Sequence, residues 1–146
     1  MTTGVWVLLA ALACVAAIGL AKRTYDGRFR STATATRTAE TPDDQDTRLT
    51  AEDLGGSGLG ERATLVQFSS AFCQPCRATR RILADVASVV PGVVHVEIDA
   101  EANLDLVRRL DVMRTPTTLV LDPHGRVTTR ASGQPRKEQV LAALPV

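Results

Sequence analysis

Cysteine, histidine and lysine are all scarce in this 146-residue chain: three Cys, two His and, among 17 basic residues, only Lys22 and Lys137. One of the cysteines, Cys14, lies in an apolar stretch, and the remaining two are too few for a disulfide framework, so they read as working thiols. The two histidines, His95 and His124, stand well apart and leave a structural zinc site short of the roughly four ligands it needs. An excess of either charge is missing too. Seventeen Lys and Arg stand against 16 Asp and Glu, a net charge of +1, which carries no signature of nucleic-acid binding. The preference for Arg over Lys, with abundant Ala, Val and Thr, is the bias associated with GC-rich bacterial genomes.

Charge is absent from Gly4 to Ala21, 18 consecutive positions. At 1.5 Å per residue the run covers roughly 27 Å, close to a bilayer core of about 30 Å, so residues 1–23 are expected to form one transmembrane helix. Lys and Arg are missing from Met1-Thr2-Thr3, whereas Lys22, Arg23, Arg28 and Arg30 follow the run. A cleavable signal carries its positive charge ahead of the apolar stretch, and positive flanks stay cytoplasmic. The expectation is an uncleaved single-pass anchor in the cell membrane with the following domain on the cytoplasmic side. An atypical export signal, placing the domain outside, is the alternative. Residues 24–46 have almost no large apolar side chain after Phe29 and read as a flexible linker.

A compact domain is expected over residues 47–146. Leu49 fits a short edge strand, and Thr50 a cap for a brief helix through Leu54, ahead of the Gly55-Gly56-Ser57-Gly58 loop. Ala63 to Ser69 reads as a buried strand, and Cys73 to Val90 as a helix with Ile82, Leu83, Val86, Ala87, Val89 and Val90 on one face. Pro91-Gly92 stops that helix. A second strand, Val93 to Ile98, precedes a helix from Asn103 to Leu110 with Leu104, Val107 and Leu110 inward. Thr117 to Leu121 and Arg126 to Ala131 form a hairpin around Asp122-Pro123-His124-Gly125. Gln134 to Leu144 closes the chain as a helix carrying Val140, Leu141 and Leu144. This order implies an α/β domain: a mixed sheet with helices on both faces, a right-handed parallel crossover first and an antiparallel pair last.

Cys73-Gln74-Pro75-Cys76 sits where the first strand gives way to the first helix of this domain. Two thiols three positions apart at a helix start can close a small disulfide ring and reopen it. At Cys73 the unpaired amide N–H groups and the positive end of the helix dipole favour the thiolate. Cys76, on the same turn, can attack a mixed disulfide formed at Cys73. Pro75 is compatible with the first helical turn, where no intrahelical N–H bond is lost. The competing readings are a static disulfide, a zinc site, and a soft-metal module holding Cu(I) on both thiolates.

With this Cys-x-Pro-Cys pair at a strand-to-helix junction, Thr115-Pro116-Thr117 entering the third strand, Phe68 before the active-site loop, Ile98-Asp99 ending a strand, and Gly125 and Gly133 flanking the last strand, roughly the last hundred residues resemble a thioredoxin. The resemblance implies a thioredoxin-like fold and a thiol–disulfide oxidoreductase. In it Cys73 is the exposed nucleophile, Cys76 the more buried resolving thiol, and Pro116 a cis proline beside the disulfide that leaves the Thr115 backbone free to pair with an extended substrate. The implied partners are disulfide-containing proteins or small disulfides, together with a separate electron donor. No cofactor beyond the Cys73–Cys76 disulfide is implied. The chain departs from the family at Phe72 and Gln74, where Trp and Gly are usual. Gln67 occupies the place of a buried strand carboxylate and His95 that of its lysine partner, so the charged pair is neutral or nearly so. Glu97 shares a strand face with His95 by period-two alternation, and either side chain could assist proton transfer through water.

Overall fold

The computed structural model describes residues 2–25, 29–31 and 48–145. Its elements are α1 (Thr2–Tyr25), β1 (Phe29–Ser31), β2 (Ala63–Ser69), α2 (Gln74–Val89), β3 (Val93–Asp99), α3 (Leu104–Arg109), β4 (Thr117–Leu121), β5 (Val127–Ser132) and α4 (Lys137–Ala143). Five strands form one sheet in the order β1-β5-β4-β2-β3. β2 and β3 are parallel and joined through α2, whereas β4 runs antiparallel to both β2 and β5. The mixed sheet and its parallel crossover are as the sequence order implies.

β2 is buried at all seven positions, because it lies inside the sheet with apolar layers on both faces. Alternate residues feed two cores. Val66 and Phe68 join Val96, Ile98, Leu106, Leu110 and Leu119 on one face. Leu65 joins Leu83 of α2, Val120 of β4 and Val140 of α4 on the other.

Three expected core leucines and valines point elsewhere. α2 buries Cys76, Thr79, Leu83 and Val86; at 3.6 residues per turn Val89 falls about 120° from Leu83 and is exposed. Leu104 is exposed while Leu106 and Leu110, one turn apart, are buried, since two residues of helix rotate a side chain to the far face. Leu141, one residue past buried Val140, is exposed for a similar reason, and Leu144 returns to the core.

Most of the expected linker, 24–46, lies outside the described residues. Within it, Phe29–Ser31 pairs antiparallel with β5 at the sheet edge, and the Phe29 ring packs against the core that holds Leu65 and Leu83. Leu49 is buried; Arg48 makes a single bridge to Arg126 rather than starting an edge strand. Thr50 and Asp53 exchange hydrogen bonds, Asp53 Oδ2 accepting from the Thr50 backbone N–H at 2.8 Å and Thr50 Oγ1 from the Asp53 N–H at 3.3 Å. They close hydrogen-bonded turns, not a helix. Gly125 has φ +80, and a Cβ there would meet the Leu49 carbonyl oxygen at 2.1 Å, so only glycine fits the hairpin turn against this segment.

α1 supplies the expected N-terminal helix, with exposed apolar side chains from Val5 to Leu20. Among the described residues no helix is long and apolar enough to cross a membrane.

Candidate active site

β2 ends at Ser69, and Ser70, Ala71 and Phe72 turn the chain into α2. Cys73 takes the N-cap position with extended backbone (φ −88, ψ 100). Its Sγ accepts the Cys76 backbone N–H at 3.2 Å, which provides a partner for one of the N–H groups that a helix start leaves open. Negative charge on this sulfur would also meet the positive end of the α2 dipole. Cys73 and Cys76 are joined as a disulfide, with Cα atoms 5.2 Å apart. Cys73 is half-buried and Cys76 only 3% exposed, so Cys73 is the more accessible sulfur. Gln74 and Pro75 are exposed on the first turn, and Phe72 is 98% exposed beside it.

The loop before β4 is tied to this turn through side chains. Ser70 Oγ and Thr115 Oγ1 are 3.0 Å apart and share a hydrogen bond. The Thr115–Pro116 bond is cis, Pro116 is buried, and its carbonyl accepts the Gly133 N–H at 2.7 Å. Thr117 Oγ1 donates to the Arg114 carbonyl at 2.7 Å.

Below the disulfide lies a polar chain anchored on Gln67. This side chain is fully buried, and its Nε2 donates to the Cys76 carbonyl at 2.9 Å and to Ser69 Oγ at 2.8 Å. Ser69 in turn donates to Glu97 Oε1 at 2.6 Å. Arg80, four residues beyond Cys76 on α2, clamps Glu97 with Nε at 2.6 Å and Nη2 at 2.7 Å, the two-pronged geometry that guanidinium and carboxylate favour. Ser69, Cys73, Cys76, Arg77, Arg80 and Glu97 line a cleft of about 480 Å³.

Burial by itself raises the Glu97 pKa, but hydrogen bonds from Arg80 and Ser69, with the Arg80 charge, outweigh it and hold the carboxyl below its usual value. Burial lowers the His95 pKa; the nearby Glu97 opposes this and Arg80 adds to it, so the imidazole stands neutral at neutral pH. His95 Nε2 is buried with no hydrogen-bond partner.

Of the residues expected at the site, Gln67 reaches Cys76, Thr115 reaches the active-site loop through Ser70, and Glu97 joins through Ser69. His95 borders this group through Glu97. His124 is exposed in the β4–β5 turn, at the opposite end of the sheet. Sequence reasoning passed over Ser69, Ser70 and Arg80. Ser69 lies two residues beyond Gln67, on the same strand face, and Arg80 one helical turn beyond Cys76, spacings that place both near the site without marking either as part of it. Among the described residues no three His, Cys, Asp or Glu are placed to hold a metal ion.

A Cys-x-x-Cys disulfide that starts a helix after a central strand, with a cis-proline loop tied to the same turn from the neighbouring strand, defines a dithiol–disulfide α/β domain. The chain belongs to the thioredoxin family, whose model matches residues 58–145. It is 31% identical over 86 residues to a thioredoxin of Alicyclobacillus acidocaldarius subsp. acidocaldarius, covering 58% of this chain and 81% of that protein. It is 26% identical over 72 residues to thioredoxin H5 of Oryza sativa subsp. japonica, covering 49% of this chain and 53% of the relative. Thioredoxin-2 of Pyricularia oryzae is likewise 26% identical over 91 residues, with 62% and 53% covered. The chain thus spans about half the length of these last two relatives. Among solved structures, chloroplastic thioredoxin z aligns with a TM-score of 0.51 at 26% identity, over 56% of this chain and 74% of its own.

Proposed function

We propose that the protein is a membrane-tethered thiol–disulfide oxidoreductase that reduces protein or small-molecule disulfides on the cytoplasmic side. The observation that carries the redox reading is the Cys73 sulfur at the N-cap of α2, bonded to the Cys76 N–H and joined to Cys76 as a disulfide. In the reduced form the Cys73 thiolate attacks one sulfur of a substrate disulfide. That S–S bond breaks, a mixed disulfide forms, and the departing substrate thiolate takes up a proton. Cys76 then loses its proton and attacks Cys73 Sγ, closing the internal disulfide and releasing the second substrate thiol. Two electrons pass from the dithiol to the substrate, and a separate electron donor must return them. A cytoplasmic compartment kept reducing holds the pair mainly as the dithiol, the form that donates electrons. The backbone before Pro116 is the candidate surface for an incoming strand.

Tethering draws its support from the charge-free run Gly4 to Ala21, the helical conformation of α1 and the absence of a polar face on it. Large apolar side chains around that helix, among them Trp6, Leu8, Leu12, Val15 and Ile18, are all more than half exposed. Lys22, Arg23, Arg28 and Arg30 after the run favour the cytoplasmic orientation.

The test uses the full chain in vesicles with a protein disulfide as substrate and a chemical dithiol as reductant. Cys73→Ser should abolish reduction, and Cys76→Ser should accumulate mixed disulfides with substrate. Unchanged turnover in Cys73→Ser would overturn the redox reading. On intact cells, labelling of Cys73 by a membrane-impermeant thiol reagent would overturn the cytoplasmic orientation and favour an exported oxidoreductase of disulfide formation or cytochrome maturation.

A further inference from the structure

The register of the sheet fixes where the N-terminal helix delivers the chain. Phe29 of β1 stands opposite Ala131, Ala131 opposite Thr118, and Thr118 opposite Gln67. Phe29 therefore occupies the same cross-strand row as the glutamine bonded to Cys76. β1 enters the sheet at the end where β2 finishes, β4 begins and β5 finishes, which is the end bearing Cys73, Thr115 and Pro116. Packing of the Phe29 ring into the core with Leu65, Leu83 and Val140 makes this entry point part of the domain.

Only residues 26–28 separate the last residue of α1, Tyr25, from Phe29. Four Cα steps span at most roughly 14 Å. From β1 to β2 the sheet crosses three strand spacings of about 4.8 Å, roughly another 14 Å. A free tether over residues 24–46 would instead reach up to about 80 Å.

We propose that, with α1 in a bilayer, the redox end of the sheet stands at the membrane surface, and that its substrate is a disulfide of a membrane protein lying within about 30 Å of that surface. The proposal rests on the anchored reading above. The same end carries two uncovered side chains of the kinds enriched at protein interfaces, Phe72 at 98% exposure beside Cys73 and Met113 at 84% in the loop leading to Pro116. The exchange is the one already written: two electrons leave the Cys73–Cys76 dithiol, and both sulfurs of the partner disulfide end as thiols.

The test places a fluorescent donor on Cys73 in the full chain carrying Cys14→Ser and Cys76→Ser, reconstituted into phosphatidylcholine vesicles with acceptor-labelled headgroups. Vesicle-bound protein should show efficient energy transfer, and a twenty-residue Gly-Ser insertion after Gly27 should lower it several-fold. Protein that floats with the vesicles yet shows weak transfer, unaffected by the insertion, overturns the surface-facing geometry and leaves the anchor standing. Protein that does not float with vesicles overturns both. In a second arm the unlabelled dithiol protein meets a disulfide-linked dye held on a headgroup by a short or a long spacer. It should reduce the short-spacer dye about tenfold faster, the preference expected when geometry sets effective concentration, and the insertion should erase the preference. Equal rates on both spacers in the uninserted protein overturn the assignment of a surface-bound substrate.

Discussion

Gln67 shows what one side chain settles at this site. It fills a position where the family places an acid, yet its Nε2 donates to both the Cys76 carbonyl and Ser69 Oγ. Gln67→Asp removes that donor and buries an acid whose pKa burial must raise. The loss of buried hydrogen bonds should destabilise the domain by about 1–3 kcal/mol, read as a lower urea midpoint, and should bend the pH dependence of the Cys76 resolution step. An unchanged midpoint and pH profile would show that position 67 does not act on the sulfurs. The place of Gln67 was legible, because period-two alternation along β2 and the thioredoxin resemblance both address it. Ser69 and Arg80 were not: Ser69 matters only because register brings Glu97 beside it, and Arg80 reads in sequence as one surface arginine among many.

Elements were legible where apolar periodicity was long and obscure where it was short. β2 and α2 carry enough turns or alternations to fix type and inner face, although the last turn of α2 drifts, leaving Val89 outside. α3 has six residues, and its inward side chain, Leu106, has only Leu110 at the C-cap one turn on to mark the face, so the sequence offered Leu104 in its place. The two should separate in a stability measurement. Leu83→Ala opens a cavity in a fully buried site and should cost about 2–5 kcal/mol, whereas Leu104→Ala should fall within about 0.5 kcal/mol. Equal losses would mean that the inner face of α3 is misassigned. β1 is three residues long and pairs with a strand about a hundred residues away in sequence. No local pattern announces such a pairing, which is why the region reads as a linker.

For the whole molecule, three lowered pKa values act in the same direction. Burial opposes ionisation of Asp53, but hydrogen bonds from Thr50 and Arg109 and the Arg109 charge override it and lower its pKa; Glu97 is lowered by Arg80 and Ser69 despite its own burial. The half-buried His95 is lowered as well, by burial. Each group binds protons less readily folded than unfolded, so stability is greatest above the unfolded values and is lost as pH falls through the folded ones. The urea midpoint should therefore decline first below the ordinary histidine range and again through the carboxylate range. Glu97→Gln should flatten the second decline, and an unaltered acid limb in that variant would remove Glu97 from the account. The neutral amide at Gln67 also governs how the electron-transfer equilibrium responds to acidity. Reduction of the disulfide adds two electrons, and with Glu97 held ionised and no acid at position 67, the accompanying protons end on sulfur: two where Cys73 is a thiol, one where it is a thiolate. Plotted against pH, the midpoint potential should descend by about 59 mV per pH unit where two protons follow the electrons and by about 30 mV where one does, with the bend set by Cys73 and none by position 67.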